Sequence, residues 1–132
     1  MSEPLQIWEK SELILKSLRE DKRLVVTAPT GSGKSTQLPQ MIVDSAETDG
    51  QVVVLEPRRI AARMLARRVA SERGSRVGEE VGYSVRFDNK TSRQTGIAYV
   101  TEGLLLRRLL SEPELSGIST LIFDEFHERN LD

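Results

Sequence analysis

Residues 28–35 read APTGSGKS and follow the short apolar segment LVVT at 24–27. The spacing is that of a phosphate-binding loop, G-x-x-x-x-G-K-[ST], except that alanine stands at the first position. Gly31 and Gly33 allow backbone angles that other residues resist, so backbone N–H groups can approach an anion closely. The stretch therefore predicts a buried strand, a phosphate-binding loop and a helix that begins near Lys34.

The side chains of this loop fit a nucleoside triphosphate with magnesium. We expect Lys34 to reach the β- and γ-phosphates and the Ser35 hydroxyl to ligate Mg²⁺. The positive end of the following helix would face the same phosphates. A chance Gly/Ser turn before a helix is the alternative, and the apolar strand in front of the loop argues against it. The expected cofactors are ATP, or another NTP, and Mg²⁺.

Two adjacent acids follow another apolar segment. Leu121-Ile122-Phe123 runs into Asp124 and Glu125, and ligands of open α/β sheets lie outside such strand ends. Asp124 can hold the Mg²⁺ of a bound nucleotide, and Glu125 can orient and deprotonate an attacking water. Acids here can also cap a helix, but the phosphate-binding loop upstream favours the catalytic interpretation. We group His127, the only histidine, with Lys34, Asp124 and Glu125 as the catalytic set, in a coupling or packing role.

Strand and helix patterns alternate along the rest of the chain. The β-branched segment QVVVLE at 51–56 predicts a strand, and apolar residues recur at helical spacing within 60–72. Pro39 should kink its helix or restrict the first turns. The other expected elements are strands at 81–87, 97–101 and 120–123, and helices at 5–19, 34–46 and 103–110. The alternation predicts an α/β fold with a largely parallel sheet and flanking helices.

The composition is that of an ordinary single domain. The chain has 132 residues, of which 38% are hydrophobic and 30% charged, and a formal net charge of −1. This balance excludes disorder driven by high net charge. The absence of cysteine excludes disulfide scaffolds, thiol catalysis and thiolate zinc sites. No apolar run nears the roughly 20 residues of a membrane span, and no signal peptide is evident, so we expect a cytoplasmic protein.

The small net charge conceals a basic segment. Residues 58–76 hold seven arginines and one acid, Glu72. Arg59, Arg63 and Arg67 step by four and should share one helix face. A solvated face is the ordinary interpretation of such a run. The alternative is a surface that faces an anion, for which clustered arginine is the expected footprint.

Five segments together carry a resemblance to a known family. They are APTGSGKSTQLPQ (28–40), EPRRIAARMLARRVA (56–70), VGEEVGYSVRF (77–87), TEGLLLRRL (101–109) and LIFDEFHERNLD (121–132). In this order they resemble the first RecA-like domain of the DEAH-box helicases of superfamily two, nearest to the bacterial HrpB type. Glu102 stands where the family usually has aspartate, and Phe126 where the family name has alanine. Both departures resemble the HrpB branch.

The resemblance implies roles for the residues of each motif. It implies Ser35 and Asp124 as metal ligands and Arg68 as the arginine that stacks on the nucleotide base. The nucleotide is implied to contact the motif I residues Gly31, Ser32, Gly33, Lys34, Ser35 and Thr36. A nucleic-acid backbone is implied to contact Arg58, Arg59, Thr101 and Arg86. Because phosphate contacts carry no base identity, binding to RNA, or to DNA, should not depend on sequence.

The resemblance also implies that residues 1–132 form only part of the first RecA-like domain, in a P-loop NTPase truncated after motif II. Motif III and the second RecA-like domain are expected but missing. In RecA-like sheets the motif III strand lies between the P-loop strand and the motif II strand. We therefore expect these two strands to keep unpaired edges. The second domain would also supply an arginine finger.

Three functions remain open on these grounds. The first is the N-terminal part of a nucleic-acid-stimulated NTPase and RNA helicase, with little or no activity by itself. The second is a nucleotide-binding module or pseudoenzyme that binds Mg-NTP without turnover. The third is a small P-loop kinase, which would need an acceptor site and a lid, and no lid segment is evident.

Overall fold

The computed structural model describes residues 24–28, 35–45, 50–111 and 117–124. The predicted helix at 5–19 lies outside the described residues. Within these ranges the element order is β1 (Leu24–Ala28), α1 (Gln37–Ser45), β2 (Gln51–Glu56), α2 (Arg59–Glu72), β3 (Val81–Val85), β4 (Asp88–Lys90), β5 (Ile97–Thr101), α3 (Glu102–Ser111) and β6 (Ile118–Asp124).

The described strands form one sheet in the order β1-β6-β2-β5-β3-β4. Every neighbouring pair is parallel except β3 and β4, which form an antiparallel hairpin. The predicted α/β fold with a largely parallel sheet is confirmed. β4 has no counterpart among the predicted strands, because its sequence, DNK, is wholly polar and carries no strand signal.

The strand before the phosphate-binding loop pairs directly with the strand that leads into the two acids. β1 and β6 are in parallel register from Leu24 opposite Thr120 to Ala28 opposite Asp124. β6 is also paired with β2 on its other side. The expectation of two unpaired edges at this place is therefore wrong for this structure. The edge of β6 that faces away from β2 satisfies its backbone N–H and C=O groups by pairing with β1.

Helices cover both faces of the sheet. On one face, α1 and α2 pack against Val52 and Val54, and on the other Leu105 of α3 packs against Val53 and Leu55. The stripe that α2 buries consists of Ala62, Ala66, Val69 and Ala70. Because successive strand residues point to opposite faces, both layers draw on the single run QVVVLE. In the part of the chain that the structure describes, no helix has the length and apolar character needed to cross a bilayer.

The helix after the phosphate-binding loop begins later than predicted. Ser35 and Thr36 form a turn, and α1 begins at Gln37 and not near Lys34. Pro39 consequently stands in the first turn of α1, where a backbone N–H has no partner within the helix. A proline there removes no helical hydrogen bond, whereas an earlier start would place it deeper in the helix.

A network around Arg73 ties the end of α2 to α1 and to the turn before β3. Arg73 Nη2 lies 2.6 Å from Asp44 Oδ1, and Arg73 Nε lies 2.8 Å from Glu80 Oε1. Hydrogen bonds from Arg73 hold the pKa of Asp44 and the pKa of Glu80 below their ordinary values of 3.8 and 4.5. Their contribution to stability is therefore fully present above those ordinary values and is lost as the pH falls through the lowered ones.

We expect Arg73→Gln to lower the free energy of unfolding by about 1–2 kcal/mol at neutral pH, because two solvent-screened ion pairs are lost. In acid the deficit should shrink, because the stability that comes from the lowered pKa values of Asp44 and Glu80 is lost progressively below their ordinary values. Urea unfolding at neutral pH and at about pH 3, below the ordinary carboxyl pKa values, measures both quantities. Arg76→Gln, the same charge change at an exposed residue, is the control. An equal deficit at both pH values would contradict the assignment.

Candidate functional site

The carboxyl ends of five strands meet along one edge of the sheet. Because β1, β6, β2, β5 and β3 are parallel neighbours, their last residues follow one another along this edge. In strand order these residues are Ala28, Asp124, Glu56, Thr101 and Val85. Every described candidate residue except Arg68 lies at one of these ends or in the segment that follows it. Ligands of open α/β sheets lie outside this edge.

The turn at Ser35 and Thr36 is held by two side chains. The Tyr99 hydroxyl donates to the Ser35 carbonyl at 2.5 Å, and Gln40 Nε2 donates to the Thr36 carbonyl at 2.9 Å. Sequence reasoning missed Tyr99, because an aromatic residue in an apolar strand is typical of a core. No local pattern marks the contact, because Tyr99 lies 64 residues from Ser35 in the sequence.

Ser35 and Asp124 follow neighbouring strands. β1 ends at Ala28, upstream of Ser35, and β6, its partner, ends at Asp124 in register with Ala28. A hydroxyl and a carboxylate are both oxygen ligands, the kind that Mg²⁺ prefers in proteins. The donor set at this end of the edge therefore fits a magnesium ion that accompanies phosphate groups.

Six of the predicted catalytic and cofactor-binding residues lie outside the described residues. They are Gly31, Ser32, Gly33, Lys34, Glu125 and His127. Asp124 is placed by its backbone, as the last residue of β6. The roles of these residues stay predictions, which rest on the sequence motif and on the strand ends that flank them.

The residues implied to contact nucleic acid follow three neighbouring strands. Arg58 lies just after β2, Thr101 ends β5, and Arg86 directly follows β3. Because β5 lies between β2 and β3, these residues form a row on the side of the edge away from β1. We call this row, together with Arg59, the nucleic-acid row. Arg58, Arg59 and Arg86 are exposed, and Thr101 is half-buried.

The turn between β3 and β4 presents an arginine and an aromatic ring together. β3 ends at Val85, so Arg86 and Phe87 leave the strand that was expected to include them. The Arg86 guanidinium lies 4.9 Å from the centroid of the Phe87 ring. Phe87 is 90% exposed and has a φ of 68°, in the left-handed region that non-glycine residues rarely adopt. Guanidinium groups and exposed rings are the groups that contact nucleic-acid phosphates and bases, respectively.

Arg68 lies apart from this edge, in the middle of α2. Arg68 Nε is 3.4 Å from Glu72 Oε2, and Glu72 Oε1 accepts a hydrogen bond from Gln40 Nε2 at 2.9 Å. The same Gln40 nitrogen donates to the Thr36 carbonyl. Arg68 is therefore linked through two side chains to the turn after the phosphate-binding loop. Its stacking on a nucleotide base stays a prediction.

Part of the basic segment contacts other elements of the fold. Arg63 Nη2 lies 3.2 Å from Asp88 Oδ2, and its guanidinium lies 5.9 Å from the centroid of the Tyr83 ring. The spacing of Arg59, Arg63 and Arg67 places them on one side of α2, as expected, and on that side Arg63 contacts the β3–β4 hairpin. Acids outside the segment neutralise part of its charge.

The fold and this edge define an α/β protein of the P-loop NTPase class with a RecA-like sheet. A family model described as DEAD/DEAH box helicase matches residues 9–130. The chain belongs to this family. The resemblance to DEAH-box helicases is thus confirmed.

Two curated relatives and a solved structure show the range of similarity. The human "Probable ATP-dependent RNA helicase DHX40" is 42% identical over 126 residues, which cover 95% of this chain and 16% of that protein. The Saccharomyces cerevisiae "Probable ATP-dependent RNA helicase DHR2" is 42% identical over 134 residues, which cover 99% and 18%. The crystal structure of Escherichia coli DEAH/RHA helicase HrpB is 40% identical with a TM-score of 0.80, covering 93% of this chain and 16% of that one. The chain spans less than a fifth of each.

Proposed function

We propose that the chain is the nucleotide-binding part of an ATP-dependent RNA helicase. It binds Mg-NTP at the ends of β1 and β6, and a nucleic-acid backbone at the ends of β2, β5 and β3. The observation that carries this proposal is the common sheet edge. Ser35 and Asp124 belong to the ends of the neighbouring strands β1 and β6, and the nucleic-acid row belongs to the ends of the next three strands. Two relatives are named as probable ATP-dependent RNA helicases, which supports ATP and RNA as the ligands.

The catalytic side chains have different roles in phosphoryl transfer. Lys34 contacts the β- and γ-phosphates, and Ser35 and Asp124 hold Mg²⁺. The magnesium ion supplies positive charge that offsets the charge developing on the phosphate oxygens. Glu125 orients the attacking water and takes up its proton, and His127 has a coupling or packing role.

The nucleic-acid contacts in this proposal are to phosphates. Arg58, Arg59 and Arg86 supply the positive charge, and Thr101 supplies a hydroxyl between them along the edge. Such contacts position a strand without reading its bases. Affinity should therefore be independent of sequence and should fall steeply as salt concentration rises.

Two measurements on the chain separate the functions. Titration with a fluorescent ATP analogue, with Mg²⁺ and with EDTA, tests the nucleotide site. Phosphate release with and without RNA then tests turnover. Release that RNA stimulates supports a helicase motor, binding without release supports a nucleotide-binding module, and transfer to an added acceptor supports a kinase. Absence of Mg²⁺-dependent nucleotide binding would contradict the proposed function.

We expect Arg58→Ala to weaken binding of single-stranded RNA about fivefold and to reduce the slope of log K against log salt by about 1, because one phosphate contact is lost. Fluorescence anisotropy at several KCl concentrations measures both. Arg93→Ala is the matched control. Arg93 is equally exposed, but it lies in the segment before β5, at the opposite edge of the sheet. Equal effects of the two substitutions, or a flat salt dependence, would argue against RNA binding at the nucleic-acid row.

A further inference from the structure

The Tyr99 hydroxyl is the buried polar group that contacts the candidate nucleotide site from within the sheet. We infer that Tyr99 is a positioning residue, which fixes the Ser35 peptide and thereby the magnesium ligand at Ser35. The inference rests on the proposed function, since it concerns the same nucleotide site. Three observations carry it: the position of Ser35 in the turn before α1, the geometry and burial of Tyr99, and the strand on which Tyr99 lies.

The first observation concerns the position of Ser35. Ser35 and Thr36 form the turn that precedes α1, and α1 begins at Gln37. The Ser35 carbonyl therefore lies outside the i to i+4 hydrogen-bond pattern of the helix. It accepts a hydrogen bond from the Tyr99 hydroxyl, so a side chain of the sheet contacts this peptide.

The second observation is the geometry and burial of Tyr99. Its hydroxyl lies 2.5 Å from the Ser35 carbonyl oxygen, and the tyrosine is fully buried. A phenol hydroxyl donates its proton to a carbonyl oxygen in such a contact. A phenylalanine would fill the same volume but would lack the hydroxyl that donates to Ser35.

The third observation is the location of Tyr99 on β5. The strand ends two residues later at Thr101, within the nucleic-acid row. β5 is paired on both sides, with β2 and β3, so its backbone is a rigid support. A contact from such a strand holds a ligand-bearing turn more accurately than the loop could hold itself. Tyr99 is thus anchored in the centre of the sheet while its hydroxyl reaches the turn after the phosphate-binding loop.

The test is the magnesium dependence of nucleotide affinity in Tyr99→Phe. We expect the Kd for the fluorescent ATP analogue to rise about tenfold in Mg²⁺, because a buried hydrogen bond that orients a metal ligand is lost. In EDTA we expect the Kd to change less than about twofold, since the phosphate contacts of the loop remain. A merely structural role would change both affinities together, so the ratio of the two Kd values distinguishes positioning from packing.

Tyr83→Phe is the matched control, because Tyr83 is the other tyrosine of the chain. It is also buried, and its hydroxyl donates to Asp88 at 2.8 Å, in the β3–β4 hairpin away from Ser35. Each substitution removes one hydroxyl that donates one partly buried hydrogen bond. Urea unfolding should therefore show similar stabilities, while only Tyr99→Phe should lose the gain in affinity that Mg²⁺ provides.

Ser35→Ala separates failure of this inference from failure of the proposed function. If Ser35→Ala abolishes the magnesium-dependent gain and Tyr99→Phe does not, Tyr99 has no positioning role and the nucleotide site stands. If Tyr99→Phe weakens binding equally with Mg²⁺ and with EDTA, the inference is also overturned. If the unsubstituted chain gains no affinity from Mg²⁺, the proposed function itself fails. In the double variant the effect of Tyr99→Phe on the magnesium-dependent gain should disappear, because its target is gone.

Discussion

Substitution of Lys34 with alanine should weaken binding of the Mg-nucleotide by about 100-fold, because hydrogen bonds from an ammonium to phosphate are charge-assisted and together contribute about 3 kcal/mol. The loop glycines would still present backbone N–H groups, but nothing else in the loop motif carries a positive charge. The same titration with the fluorescent ATP analogue in Mg²⁺ measures the loss. Unlike Tyr99→Phe, this substitution should weaken binding in EDTA as well, since Lys34 contacts phosphate and not the metal.

Lys90→Ala is the control for this substitution. Lys90 is an exposed lysine on β4, so its loss changes the net charge equally without touching the ends of β1 and β6. Its nucleotide affinity should match that of the unsubstituted chain. If Lys34→Ala binds the nucleotide as well as Lys90→Ala does, residues 28–35 are not a phosphate-binding loop.

Substitution of Gly82 with alanine should lower the free energy of unfolding by about 3 kcal/mol or more, the cost of forcing an extra carbon into a closely packed site. A Cβ atom at this residue would lie 2.1 Å from the Lys90 carbonyl oxygen and 3.1 Å from Thr91 Cγ2. The oxygen belongs to the backbone of β4, and Lys90 is in register with Tyr83. Relief of the clash therefore requires the hairpin to open, which would also displace Arg86 and Phe87 at its turn.

Gly103→Ala is the control for this steric effect. A Cβ atom there would meet nothing within 4 Å, and Gly103 lies in the first turn of α3. Because alanine favours a helix over glycine, this substitution should be neutral or stabilising by up to about 1 kcal/mol. Urea unfolding of both variants measures the contrast. Equal stabilities would show that β3 and β4 do not approach as closely as described.

The predictable part of the fold is the part decided by local patterns. β2 begins and ends as expected, because QVVVLE contains three consecutive β-branched valines and is bounded by turn residues. Boundaries that depend on a single peptide are harder to predict. β3 stops at Val85 because the next residues turn back at a positive φ, and α1 begins at Gln37 because Pro39 fits the first turn of a helix.

The residues of the candidate site also divide into a part that the sequence predicts and a part that it does not. Its motif residues can be predicted because each motif is contiguous in sequence and follows a strand, which fixes the sheet edge on which it falls. The side chains that support them are distant in sequence: Tyr99 lies 64 residues from Ser35, and Glu72 lies 32 residues from Gln40. Such contacts arise when the sheet order brings β5 and α2 beside α1, and no periodic pattern in the sequence predicts them.

The order of strand ends along the sheet edge has a thermodynamic consequence. Neighbouring strands are about 4.8 Å apart, so the two strand spacings between β6 and β5 separate Asp124 from Thr101 by roughly 10 Å. Nucleotide and RNA would then occupy adjacent but separate places and form a ternary complex without competing. Any factor by which RNA raises the affinity for nucleotide must equal the factor by which nucleotide raises the affinity for RNA. Either ligand can therefore be used to measure the communication between the two sites, and the two titrations must agree.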